Sequence, residues 1–170
     1  ERGLHAAGYI GYDAAFALEA RLASLQPPRR ADDMPLLWFG LFDGFRNIDA
    51  QDVPAMLPIP GNAGTGSATP LIDPEIYSAR FAAVQEAIHS GDVYQANLTF
   101  PCDVPLHGDP RAIYAALRPH AKAGYGGIVW TGQHWLLSFS PELFFSQRSS
   151  SIMARPMKGT ALRDKDPTRD

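Results

Sequence analysis

The chain has 170 residues, 45% hydrophobic and 19% charged, which supplies one ordinary globular core and is too apolar for wholesale disorder. Its 15 Lys and Arg and 18 Asp and Glu, a formal net charge of -3, are scattered rather than gathered on one face, so nucleic acid is not an expected partner and a small-molecule ligand is. No run approaches the roughly 18 apolar residues of a membrane span and no signal pattern opens the chain, so a cytoplasmic protein without membrane contact is expected.

From the N-terminus, Leu4 to Tyr12 reads as a buried strand, with Gly8 and Gly11 where another backbone comes close. Ala14 to Leu25 has helix-forming composition and must stop before Pro27-Pro28. Leu36 to Phe42 is an apolar and aromatic run bounded by Pro35 and Asp43-Gly44, the pattern of a buried strand closed by a turn. Pro58 to Pro70 is rich in Gly, Ser, Thr and Pro and reads as a flexible connector. No Gly-Lys-Ser/Thr follows its glycines, which excludes a phosphate loop.

Asp73-Pro74-Glu75 carries the signature of a helix start, with Asp73 as N-cap and Pro74 in the first turn. Tyr77, Phe81, Val84 and Ile88 recur at helical spacing and Gly91 closes the helix. Extended chain is expected from Val93 to Val104, then a second helix opened by Asp109-Pro110, with Ile113, Ala116 and Leu117 inward. Four short strands, at Gly127 to Trp130, Trp135 to Phe139, Leu143 to Phe145 and Ile152 to Ala154, are separated by turn residues and predict antiparallel hairpins. The class is therefore α+β, antiparallel sheets with flanking helices. The expected division is residues 1–57, the connector 58–70, and residues 71–170. The lone Cys102 is expected to be a small buried hydrophobe. Glu1 at the start and the charged run at the end suggest a fragment.

Three segments carry polar groups where strand packing would prefer apolar ones: Gly91 to Leu98, Ser138 to Leu143, and Arg155 to Thr160. Lys158 follows an apolar strand and precedes Gly159, which leaves room for a ligand; it is either a solvated surface lysine or, if desolvated, a nucleophile. Glu142 in an aromatic strand is either an edge residue facing water or a buried acid able to protonate a leaving group. Gln95 and Asn97 alternate with apolar neighbours, so both amides are expected on one face of a strand. The five histidines show no metal-ligand spacing.

In order and spacing, Gly-Asp-Val-Tyr-Gln-Ala-Asn-Leu, Ser-Pro-Glu-Leu-Phe-Phe and Arg-Pro-Met-Lys-Gly-Thr-Ala resemble the first half of the chorismate-binding domain shared by anthranilate, isochorismate and aminodeoxychorismate synthases. Ala-Gly-Tyr-Ile-Gly-Tyr-Asp, residues 7–13, is similar to that family's N-terminal portion. The resemblance implies a sandwich-like core of antiparallel sheets. It implies chorismate as substrate, ammonia from a glutamine amidotransferase subunit, and magnesium held by residues beyond this chain. The family divides at Lys158, where aminodeoxychorismate synthases carry lysine and anthranilate- and isochorismate-forming relatives typically alanine. By that analogy Lys158 is the nucleophile, Glu142 the general acid at the C4 hydroxyl, and Gly159 and Thr160 line the substrate pocket. Gln95 stands where isochorismate-forming relatives place a water-activating lysine. The implied product is 4-amino-4-deoxychorismate, the precursor of 4-aminobenzoate in folate synthesis. An anthranilate-forming relative and a non-catalytic remnant of the family are the alternatives.

Overall fold

A computed structural model describes residues 3–155. They form two compact units: Ile59–Ile113, and the residues up to Pro58 together with those from Tyr114 onward.

In the second of these, strand β1 (His5–Ile10) pairs antiparallel with β2 (Leu37–Phe42), in a register that sets Gly8 opposite Phe39. The two glycines of the first strand do what the sequence suggested. A Cβ on Gly8 would sit 1.9 Å from the Trp38 carbonyl oxygen, and Gly11 donates its N–H to the Leu36 carbonyl at 2.7 Å. Full burial, by contrast, is not observed: Leu37, Phe39, Leu41 and Phe42 are exposed and Tyr9 and Trp38 only half-buried, in a ladder of only two strands.

The helix expected from Ala14 to Leu25 is broken. A 3₁₀ turn at Tyr12–Ala14 leads into α1 (Ala15–Leu18), and a second 3₁₀ segment covers Ala20–Leu25. Glu19 between them is extended, φ -114° and ψ 107°, and its carboxylate accepts from the Arg21 N–H at 3.2 Å. A local side-chain hydrogen bond here competes with helix continuation, and composition does not reveal it. Helix α2 (Val53–Met56) is a single turn.

In the Ile59–Ile113 unit the expected connector is partly ordered by pairing. β3 (Gly64–Thr65) pairs with β6 (Leu106–His107), and β4 (Thr69–Pro70) with β5 (Cys102–Asp103). The bonds Gly66 N–H to Pro105 O and Leu71 N–H to Pro101 O extend the ribbon. Cys102, expected to be buried, is exposed on it because β4 and β5 have no covering layer there. Helix α3 (Pro74–His89) keeps its predicted ends. Asp73 Oδ1 accepts from the N–H groups of Glu75 and Ile76 at 2.8 and 3.3 Å. At the other end Gly91, φ 83°, donates to Ile88 O, and Asp92 N–H reaches back to Ala87 O. These two bonds are the Schellman closure that needs a left-handed residue. Tyr77 on its apolar stripe meets Phe100 edge-on, ring centroids 5.6 Å apart.

Helix α4 (Pro110–Ala121) buries Ala112, Ile113 and Tyr114, while Leu117, expected inward, is exposed. Asp109 at its start accepts from the Arg111 backbone N–H at 2.8 Å and forms a forked pair with the Arg111 guanidinium at 2.7 Å. Two hairpins follow. β7 (Tyr125–Trp130) pairs with β8 (Trp135–Ser140), and β9 (Leu143–Arg148) with β10 (Ser151–Arg155) through the turn Ser149-Ser150, Ser149 lying at φ 53°. Tyr114 stacks on Phe139 at 4.7 Å, and a Cβ on Gly126 would come within 2.5 Å of the Tyr114 hydroxyl, so α4 lies against the glycine-bearing face of this hairpin. The helices and antiparallel ladders are those of the α+β class; the described residues form five two-stranded sheets and no larger one.

Two outcomes follow from this packing. Gly8→Ala forces β1 away from β2 and lowers stability by about 2–3 kcal/mol, read by denaturant unfolding; an unchanged midpoint would mean that the strands are not paired in this register. The Arg111 side-chain bond, then its backbone N–H, holds the Asp109 carboxyl below its ordinary value of 3.8. A carboxyl depressed on folding contributes fully above its unfolded value, so the first turn of α4 loosens only as the pH falls below about 3.8, and the contribution is gone once Asp109 is protonated in the folded chain. Carboxyl titration by NMR measures this, and a midpoint at or above 3.8 would contradict it.

Candidate functional site

The Ser-Pro-Glu segment is the corner between the two C-terminal hairpins. Ser140 is the last residue of β8 and faces Tyr125; Leu143 is the first of β9 and faces Arg155. Pro141 and Glu142 lie between the ladders. The Ser140 hydroxyl accepts from the Glu142 N–H at 3.1 Å and donates to the Glu142 carbonyl at 3.0 Å. Of the two readings open for Glu142 from sequence, the exposed one holds: the residue is exposed, and Pro141 and Glu142 belong to neither ladder.

Register places this corner beside the end of β10. From Met153↔Ser146 the pairing moves to Arg155↔Leu143, so β9 carries one extra residue, a bulge at Phe144-Phe145. Both phenylalanines are exposed, with rings 5.5 Å apart. The residue that follows Glu142 is thus cross-strand neighbour to Arg155. Lys158, Gly159 and Thr160 lie outside the described residues.

A cleft of about 680 Å³ opens beside the corner, lined among others by Tyr9, Arg29, Leu36, Tyr125, Ser140 and Glu142. Its lining mixes aromatic, aliphatic and glycine residues with the Arg29 guanidinium and the carboxylates of Asp13 and Glu142, a mainly apolar cleft with a few polar groups. One wall is the segment 26–36, tied to β1 by the Tyr9 hydroxyl donating to Pro35 O at 3.0 Å. The Arg29 guanidinium bonds to Met34 O within that segment. His134, in the turn between β7 and β8, bonds through Nε2 to Asp32 O at 3.0 Å. The carbonyl can only accept, which assigns the proton to Nε2; Nδ1 is buried with no partner among the described residues. Neither Arg29 nor His134 stands out in the sequence, since their roles rest on a loop meeting a hairpin about a hundred residues away in the chain.

Gln95 and Asn97 do not share a strand face. The chain from Tyr94 to Pro101 is irregular, with Gln95 half-buried and Asn97 exposed, because the ladder partner begins only at Cys102. Gln95 belongs to the Ile59–Ile113 unit and Glu142 to the other. Among the described residues no three His, Cys, Asp or Glu side chains are grouped to hold a metal ion, so the magnesium implied by the resemblance finds no ligand set there. No helix among them is long and apolar enough to cross a membrane.

The model of the chorismate binding enzyme family matches residues 1–170, and the chain belongs to that family. Aminodeoxychorismate synthase component 1 of Escherichia coli (strain K12) is 38% identical over 96 residues, 56% of this chain and 21% of that protein. Anthranilate synthase component 1 of Thermus thermophilus is 31% identical over 193 residues, 96% of this chain and 41% of that protein. The chain thus spans between about a fifth and two fifths of the length of these relatives. No solved structure matches.

The His134 tie can be tested alone. His134→Ala removes one hydrogen bond, lowers stability by about 1 kcal/mol and speeds amide exchange across residues 26–36. His134→Gln, whose Nε2 can reach the same carbonyl, restores the protection. Equal exchange in all three proteins would show that the tie does not hold the segment.

Proposed function

We propose that the chain contributes the nucleophile and the acid of an aminodeoxychorismate synthase, which replaces the C4 hydroxyl of chorismate with an amino group. The observation that carries this reading is the Arg155↔Leu143 pair, which brings the Glu142 corner beside the strand that Lys158 follows by three residues. The lysine itself, and the similarity to aminodeoxychorismate synthase component 1, support the branch of the family.

In the proposed reaction the free amine of Lys158 adds to C2 of chorismate, the ring double bonds shift, and the C4–O bond breaks. Glu142 gives its proton to the departing hydroxyl, which leaves as water. Ammonia from a glutamine amidotransferase partner then adds at C4, the double bonds shift back, and the C2–N bond to Lys158 breaks; one proton from the incoming nitrogen returns to Glu142. The sum is chorismate plus ammonia giving 4-amino-4-deoxychorismate plus water. Dividing a substitution of hydroxide into two steps is what covalent catalysis supplies. The acid role requires that bound substrate cover the exposed Glu142. Gly159 and Thr160 would line the pocket beside the nucleophile, and Gln95, an amide where hydroxylating relatives place lysine, would leave C2 without an activated water. Magnesium, held by residues outside the described part, would neutralise a substrate carboxylate.

Formation of anthranilate is the second reading, favoured by the anthranilate synthase match across 96% of this chain. Intact-mass measurement on the full natural chain with chorismate and without ammonia separates the two. A substrate-derived adduct on Lys158, absent in Lys158→Ala together with at least a hundredfold loss of product formation, is the expected result. No adduct, with anthranilate formed when ammonia is added and undiminished in Lys158→Ala, would refute it.

A further inference from the structure

We propose that Ser140 is a positioning residue for Glu142: its hydroxyl clamps both backbone polar groups of Glu142 and thereby fixes the backbone from which the carboxylate reaches into the cleft. The proposal rests on the reading of Glu142 as the acid.

The corner leaves Glu142 without ladder bonds of its own. β8 ends at Ser140 and β9 begins at Leu143, so neither hairpin holds the two residues between them. Pro141 fixes its own φ and has no N–H to give. The backbone groups of Glu142 therefore find their partners outside the two ladders. Both meet one atom: its N–H donates to Ser140 Oγ at 3.1 Å and its carbonyl accepts from the same Oγ at 3.0 Å. A hydroxyl has one proton and two lone pairs, so it can make both bonds at once, and no aliphatic side chain can replace it. Because Ser140 is held by β7 through its pairing with Tyr125, the clamp transmits the position of the β7–β8 hairpin to Glu142. Both residues line the same cleft.

An acid that must meet a leaving oxygen within hydrogen-bond reach loses rate steeply when displaced by about 1 Å, up to about a hundredfold. Ser140 touches no reacting atom in this account and acts only through Glu142. That restriction gives the proposal its test.

The measurement is chorismate consumption with saturating ammonia by the full natural chain, which does not depend on which amino product forms. Ser140→Ala is expected to lower kcat ten- to a hundredfold, with KM for chorismate changed less than about threefold, and Ser140→Thr, which keeps the hydroxyl, to recover most of the rate. Glu142→Gln should lower kcat by itself, and the double variant S140A/E142Q should be no slower than E142Q, since the clamp has nothing left to position. Amide exchange supplies a readout independent of the chemistry: the Glu142 N–H should lose protection in Ser140→Ala while the β8 and β9 amides keep theirs. Unaltered protection at Glu142 overturns the clamp, and so does a double variant slowed by the full product of the two single losses. If Glu142→Gln retains the wild-type rate, the acid assignment itself fails, and the positioning role falls with it even where exchange finds the clamp intact.

Discussion

An antiparallel pair of strands satisfies the inner edge of each strand and leaves two outer edges and two faces to be dealt with by something else. Every sheet among the described residues is such a pair, and this governs much of the rest. It explains why aromatic strands that look like core, such as Leu37–Phe42, carry exposed side chains, and why the buried hydrophobic residues among the described ones are few: Ala14, Ala112, Ile113 and Tyr114. Where a helix does cover a hairpin, the contact is close: Tyr114 lies flat against Phe139 and its hydroxyl fills the space that a side chain on Gly126 would need.

The same economy of pairing sets up the candidate site. Two hairpins in succession need a corner between them, and a corner frees residues from the ladders on either side. Pro141 and Glu142 occupy it, and the hydroxyl of Ser140, the last residue of β8, holds Glu142 at both backbone groups. The bulge in β9 then shifts the register so that Arg155, the last described residue, stands across from Leu143. Bulges commonly re-aim chain beside reactive groups, and this one lies between the Glu142 corner and the strand that leads toward Lys158.

Membership of the chorismate binding enzyme family leaves open which reaction is run, and the two readings proposed differ in few atoms. The chain is similar both to an aminodeoxychorismate synthase component and to an anthranilate synthase component. In the proposed reaction, a primary amine at residue 158 would offer a chemistry that a methyl group there would not, a temporary bond to the substrate, and the Ser-Pro-Glu corner would supply the acid. The chemical distinction between the two readings therefore rests on one side chain rather than on the scaffold.

What the sequence alone determined is local. Asp73, Pro74 and Gly91 mark the ends of α3 because capping and left-handed closure are decided by residues within one turn of each other. The paired runs after Tyr125 announce two hairpins because their partners are adjacent in the chain. Gly8 betrays a close backbone approach without naming the backbone. The tertiary structure decided what depends on distant partners: that Gly64 to Pro70 pairs with a segment more than thirty residues away, that Gln95 and Asn97 fall before a ladder begins rather than within one, and that His134 ties a loop near Asp32. The Ser140 clamp lies between these cases. Its residues are only two apart, and serine before a turn is a familiar signal, but that both bonds go to the backbone of the carboxylate-bearing residue follows from where β8 stops and β9 starts, which three-dimensional pairing settles.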